Sequence, residues 1–203
     1  ESYSASGHLY SKSVSTWNNQ QLYPGVRFPY LEQSDSYVYD GNATGRRTQE
    51  KYFYSESPQY GNVTKAVQMG EVDLATGNDI ASDTRTVETT YHNNTSGSHW
   101  LLGLPKQVIV KDNAGTEVRK SWFYYDGNAN VNTLPIKGQL TKKESWGGNG
   151  QNVVNPTAEY TYDVYGNLLT TKDANGRIST ILYDATYYMF PLQATNAKNQ
   201  SVL

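Results

Sequence analysis

Residues 160–184 read YTYDVYGNLLTTKDANGRISTILYD and carry a Tyr-Asp pair at each end, Tyr162-Asp163 and Tyr183-Asp184, 21 positions apart. Between the pairs stand two turn signals, Gly166-Asn167 and Asp173-Ala174-Asn175-Gly176. The residues between them alternate with period two, which is the pattern of a half-buried strand and not of a helix. In 158–163, Tyr160 and Tyr162 share one face and Glu159 and Thr161 the other. Residues 168–172 form a second strand and 177–183 a third, with Ile178, Thr180 and Leu182 on one side. Asp begins such a turn by bonding nearby backbone, and Gly176 can take the positive φ that closes it. The spacing therefore predicts a three-stranded antiparallel meander, in which Tyr ends a strand with its ring on the neighbouring hairpin. One hairpin cannot bury its own face, so units of this kind are stable only when stacked.

The unit recurs upstream. QVIVKDNAGTEVRKSWFYYDG (107–127) sets two strands around Asp112-Asn113-Ala114-Gly115 and ends in Tyr125-Asp126. Residues 47–69 give another copy, with a turn from Pro58 to Asn62 in which Tyr60-Gly61-Asn62 matches Tyr165-Gly166-Asn167. Tyr39-Asp40 supplies a further pair, and Asn196-Ala197-Lys198-Asn199 stands where the next turn falls, 23 residues after Asp173. Self-similarity on this scale marks a repeat architecture. The expected fold is all-β, with repeated antiparallel hairpins forming a curved, open sheet. Residues 1–36 are expected to be an irregular N-terminal segment, partly strand, with YPGVRFPY (23–30) extended around its prolines. Residues 37–203 are expected to be a degenerate hairpin array truncated in mid-repeat. The polar stretches 76–84, 92–99 and 146–156 read as hairpin tips or loops.

Composition narrows the function. The chain has 18 Tyr against four Phe and two Met, so much of its apolar area carries a hydroxyl. Tyr buries a large ring while its OH needs a partner, which suits layered or hollow structures where one end of each side chain stays wet. The net charge of −2 offers no basic face, so nucleic acid is not an expected partner. No run approaches the roughly 20 apolar residues of a membrane span, and the opening ESYSASGHLYS does not read as a signal peptide. Cysteine is absent, which excludes disulfides and thiol chemistry. The sequons at Asn42, Asn62, Asn93, Asn94 and Asn199 accord with chance in so Asn-, Ser- and Thr-rich a chain.

Candidate reactive groups are few. The histidines are His8, His92 and His99, and no Gly-x-Ser-x-Gly occurs. A nucleophile triad therefore has no sequence support, and a zinc pair from His92 and His99 lacks a third ligand at suitable spacing. Asp126-Gly127-Asn128-Ala129-Asn130 begins like a calcium loop but places Val131 at the glycine position and Lys137 at the bidentate acid position. The acids stand in turns or on alternating strand faces, which are structural places. No catalytic residue, metal or cofactor is expected. The aromatic clusters Tyr52-Phe53-Tyr54, Trp122-Phe123-Tyr124-Tyr125 and Tyr187-Tyr188 read either as cross-strand pairs or as stacking platforms for sugars.

The pattern Tyr-x-Tyr-Asp-x-x-Gly-Asn-Leu, then Asp-x-x-Gly-Arg, then Tyr-Asp, resembles the YD repeat of Rhs proteins. YDATYYMFPLQATNAKNQ (183–200) is similar to the version in the B component of bacterial ABC (Tc) insecticidal toxin complexes and in SpvB-like proteins. The likeness is strongest over 158–200, weaker over 37–146 and nearly absent over 1–36. It implies a β-sheet spiralling into a hollow shell that encapsulates a toxic polypeptide in a secreted bacterial toxin. On that reading the chain is a non-catalytic wall segment, secreted or at the cell surface. Its partners are the remaining repeats of its own chain or a partner toxin subunit, and a polypeptide cargo. Tyr39, Asp40, Gly61, Asn62, Asp112, Gly115, Tyr125, Asp126, Tyr162, Asp163, Gly166, Asn167, Asp173, Gly176, Tyr183 and Asp184 are then repeat-defining residues with architectural roles. The alternative is a cell-surface adhesion or carbohydrate-binding β-repeat module, with glycan as partner.

Overall fold

A computed structural model describes residues 1–203 apart from 4, 6, 41–43, 55–59, 150–152 and 203. The Asn42 sequon, the Pro58 start of one expected turn and the middle of the 146–156 loop lie outside the described residues. The rest is all-β. Fourteen strands follow one another through a single open sheet in the order of the chain. They are β1 (Ser2–Tyr3), β2 (Leu9–Tyr23), β3 (Val26–Val38), β4 (Arg46–Phe53), β5 (Lys65–Val72), β6 (Arg85–Asn94), β7 (Leu101–Lys111), β8 (Glu117–Tyr125), β9 (Leu140–Ser145), β10 (Thr157–Tyr162), β11 (Leu168–Lys172), β12 (Ile178–Tyr183), β13 (Pro191–Thr195) and β14 (Ser201–Val202). A strictly sequential antiparallel order is what short hairpin connections impose, since a parallel neighbour would need a long crossover.

The chain forms two compact units, one of residues 1–90 with 108–118 and the other of 91–107 with 119–203. In the first unit, β2 and β3 are the two longest strands, in the region that the sequence patterns least clearly. Their turn is Pro24-Gly25, with Gly25 at φ +79° and Tyr23 paired to Val26. Pro fixes its own φ and Gly supplies the positive φ after it, the arrangement of a type II turn. No alternation of apolar residues marks β2, because most of its side chains are exposed on both faces. The β3–β4 register runs only from Gln33↔Lys51 to Val38↔Arg46. Beyond it, among the described residues, 26–31 pair with β2 alone, with Glu32 at a shift in register, and Pro29, which has no N–H to give a ladder, sits in that one-sided stretch.

In the second unit, β10, β11 and β12 form the expected meander, with Tyr160↔Thr171 and Thr170↔Thr180 in register. One feature differs from the sequence pattern. Ile178, Thr180 and Leu182 do share a face of β12, but it is the exposed one, and Ser179, Ile181 and Tyr183 are half-buried. Among the described residues the buried apolar side chains are Val72, Val110, Tyr125 and Pro135, and the buried polar ones are Asp35, Gln49, Thr64, His92 and Asn94. Most of the sheet is therefore half-buried, with polar anchors at its driest points.

Candidate functional site

The repeat residues build one turn four times. At Asp112, Asp163, Asp173 and Asn196, the first residue's N–H donates to the carbonyl four positions on, at 2.9, 3.0, 2.9 and 2.9 Å. The N–H of the fourth residue of each turn donates back to that first residue's carbonyl. The side-chain oxygen of the first residue also accepts the N–H of the fifth: Thr116 at 2.8 Å, Asn167 at 2.9 Å, Arg177 at 2.9 Å and Gln200 at 3.0 Å. The fourth position is left-handed throughout, as Gly115, Gly166, Gly176 and Asn199. This is a type I turn followed by a left-handed residue, a common three-residue hairpin loop. Asp or Asn is needed first because its short oxygen reaches backbone a few residues on.

At Asp126 and Asp184 the acid does more. Asp126 has φ +56°, and its Oδ2 accepts the N–H groups of Ile136 (2.7 Å), Lys137 (2.9 Å) and Gly138 (3.3 Å), while Oδ1 accepts that of Gln139 (2.9 Å). One carboxylate thus gathers the end of the 127–139 loop. Burial pushes its pKa up, but these four donors outweigh it and hold the group below the usual carboxylate range. Both oxygens face N–H groups of the 136–139 segment, so the carboxylate serves here as a backbone cap. Asp184 likewise accepts from Tyr187, Phe190, Met189 and Thr186, which lowers its pKa to about 2.

The tyrosines tie strands together. Tyr125 donates its OH to the Pro105 carbonyl at 2.9 Å, Tyr162 to Leu140 at 2.8 Å and Tyr54 to Leu31 at 3.1 Å. Each reaches backbone 20 to 23 residues earlier. Burial, with the nearby Tyr162, pushes the Tyr125 hydroxyl up to about 12, and Tyr162 is raised by burial and Tyr160. Tyr39 stacks on Tyr37 at 6.4 Å, and its N–H donates to Tyr10. Asp40 follows at φ +50°. Gly61, at φ +72°, approaches the Phe28 ring so closely that a Cβ would lie 3.4 Å from it; Asn62 beside it is half-buried. Tyr183 pairs with Pro191. Asn167 adds a second contact, donating to Tyr188 O at 2.6 Å while Tyr165 stacks on Tyr188 at 4.6 Å. The loop after one Tyr-Asp pair thereby rests on the turn after the previous one.

Two polar anchors carry no sequence signature. Asp35, 3% exposed, takes Arg47 Nε at 2.9 Å and the amides of Gln49 (2.9 Å) and Gln33 (2.7 Å). Burial raises its pKa, and the two amides and the Arg47 guanidinium more than offset that, leaving it lowered. His92, 4% exposed, stands edge-on to Tyr125 with ring centres 6.1 Å apart and Nε2 2.8 Å from the Val131 carbonyl. Asn94 holds the same loop by donating to Pro135 O at 2.7 Å. Burial and the cationic Lys106 lower the His92 pKa against the opposing pull of Val131. Both strand residues point under a loop some 40 positions away, a pairing that only the folded chain makes visible.

The structure brings these residues together as turns and ties, not as a convergent reactive cluster. Among the described residues no group of three or more His, Asp or Glu is placed to hold a metal. His99 lies in the turn after β6, its N–H on Ser96 O. Of the rings from Trp122 to Tyr125, the middle two meet lysines: Lys143 pairs with Phe123 and lies 5.6 Å over its ring, and Lys142 pairs with Tyr124 at 3.7 Å. No helix of the described residues is long and apolar enough to cross a membrane.

No protein-family model matches the chain, and no curated protein matches it either. Solved structures do. Over 93% of its length the chain is similar to a chain of the Photorhabdus luminescens Tc holotoxin pore, with TM-score 0.54 and 12% identity. Over 95% it is similar to a chain of the TcdB2–TccC3–Cdc42 complex, with TM-score 0.52 and 11% identity. It spans 14% of the length of each. At such identity the likeness is one of fold, an open all-β antiparallel sheet.

Proposed function

From a fold shared with chains of Tc toxin complexes, we propose that this chain is a non-catalytic wall segment of an Rhs-type shell that encloses a toxic polypeptide. The observation that carries the reading is the strand order: 14 strands in chain order, with 93–95% of the chain matched inside much longer toxin-complex chains. A sheet built this way extends by adding hairpins, because each new unit needs only the turn and the tie already described. The wall isolates its cargo from the surroundings. Tyrosine suits that task, since a ring with a hydroxyl resists water entry without binding unfolded chain as strongly as Leu or Phe does. Its partners are further repeats of its own chain or a toxin subunit, together with the cargo, and it acts outside the bacterial cytoplasm, secreted or at the cell surface. Cryo-electron microscopy of the complete protein that carries residues 1–203, combined with limited proteolysis, tests the reading. A hollow particle with this sheet in its wall and a protected polypeptide inside is expected. A solid particle, or a sheet remote from any enclosed chain, refutes it.

A further inference from the structure

After Gln33↔Lys51, β4 parts from β3, and a groove of about 590 Å³ opens between the ends of β2, β3 and β4. Tyr30, Tyr52, Phe53 and Tyr54 supply rings to its lining. These rings are held in place. Tyr54 is fixed by its OH on the Leu31 carbonyl (3.1 Å) and by Tyr30 at 5.2 Å and Phe28 at 5.8 Å, while the Tyr52 OH is held by Glu50 at 2.9 Å. Tyr30 is in turn stacked on Phe28 at 5.8 Å. Yet Tyr30, Tyr52 and Tyr54 are only half-buried and Phe53 is 43% exposed. Around them Gln20, Glu32 and Lys51 line the groove.

We propose that this groove is a binding site for a neutral oligosaccharide. Pre-set aromatic faces offer stacking area to the C–H faces of a sugar at little cost in side-chain ordering. Gln20, Glu32 and Lys51 supply an amide, a carboxylate and an ammonium for its hydroxyls, both donors and acceptors. Glu32 and Lys51 cancel in charge, so neither an anion nor a cation is favoured. A few placed polar groups in a ring-lined concavity are the usual make-up of a small-ligand site. Lys65 lies 5.3 Å over the Phe53 ring, so the groove's stacking area comes from Tyr30, Tyr52 and Tyr54; at the other clusters Phe123 and Tyr124 meet Lys143 and Lys142, and Tyr165 meets Tyr188. The inference does not rest on the shell reading and can fail or stand without it.

Saturation-transfer NMR and calorimetry on the 203-residue chain test it, with maltotriose, triacetylchitotriose and lactose as neutral probes, 3′-sialyllactose as the anionic one and a proline-rich decapeptide as the extended-peptide one. Saturable binding of at least one neutral sugar is expected. Tyr30→Ala and Glu32→Gln should each weaken it about three- to tenfold, and Tyr187→Ala, in the other unit, should not. Glu32→Gln alters an exposed side chain and keeps the test open if Tyr30→Ala misfolds. Absence of saturable binding by every neutral probe, affinity unchanged in Glu32→Gln, or preference for the peptide or the anionic sugar would overturn the proposal.

Discussion

The turn geometry makes a quantitative claim at Gly176. This residue closes the Asp173 turn at φ +79°, and a Cβ built there meets nothing within 4 Å. Any cost of a side chain is therefore a backbone cost. Holding an ordinary L-residue in the left-handed region costs about 1–2 kcal/mol, and a β-branched residue is among the least tolerant. Removing glycine also restricts the unfolded chain, which returns roughly 0.4–1 kcal/mol. Gly176→Val should thus destabilise by about 1 kcal/mol net, or somewhat more. The chain contains its own control, because Asn199 holds the matching position of the Asn196 turn at φ +61°. Gly176→Asn should accordingly cost less than about 0.5 kcal/mol, since Asn tolerates this conformation. Urea unfolding followed by tyrosine fluorescence measures the difference. Amide exchange at residues 174–177 reports local opening, which matters because one hairpin can open without the rest. If valine is neutral, or asparagine costs as much as valine, the left-handed closure shared by the four turns is not what holds them.

Three further outcomes follow from the anchors. Tyr125→Phe leaves the ring in place but strips the Pro105 carbonyl of its partner, so a loss of about 1–3 kcal/mol is expected; an unchanged melting temperature would show that this hydroxyl ties nothing. Arg47→Ala leaves the Asp35 carboxylate buried with only amides, a change that costs about 3–5 kcal/mol, whereas replacing both residues with apolar ones should recover most of it by the same melting measurement. The third concerns pH. His92 has its pKa lowered from 6.5, chiefly by burial, so the unfolded chain binds the proton more tightly than the folded one. Stability from this site is complete above about pH 6.5 and declines as pH falls from there toward the folded value. His92→Gln should flatten the pH dependence of stability between pH 7 and 5, where Asp184, at about 2, is still fully ionised. A profile as steep in the variant as in the parent chain would remove His92 as its source.

The hairpins of residues 107–127 and 158–200 are legible in the sequence because their rules are local. An Asp with a Gly three positions on specifies the same hydrogen bonds wherever it occurs, and it does so at Asp112, Asp163 and Asp173. The Asp126 loop is local in its end point but not in its path, since nothing in the 127–139 spacing announces that four N–H groups return to one carboxylate. The β2–β3 hairpin is harder still. Its only clear signal is Pro24-Gly25, because β2, wet on both faces, has no reason to alternate. Tyr52 to Tyr54 are visible as a ring cluster, but the groove beside them exists because β4 leaves β3 after Lys51, and register is a property of two strands together. Asp35 with Arg47 and His92 with Val131 are contacts across 12 and 39 positions between residue types that are ordinary on any surface.

The scarcity of fully buried apolar residues explains why the repeat can degenerate without being lost. A domain with one central core depends on many side chains fitting one another, and a change of a single methylene is felt throughout. Here Val72, Val110, Tyr125 and Pro135 are the buried apolar residues among those described, so the weight falls elsewhere. It falls on turn acids bonded to their own backbone and on tyrosine hydroxyls bonded to backbone 20 to 23 residues earlier. Each of these contacts joins a residue to main chain, and main chain is present whatever the side chain opposite. A neighbouring hairpin can therefore change length or sequence and still offer the carbonyl that the next tyrosine needs. The same choice of residue thus permits an array of unlike hairpins.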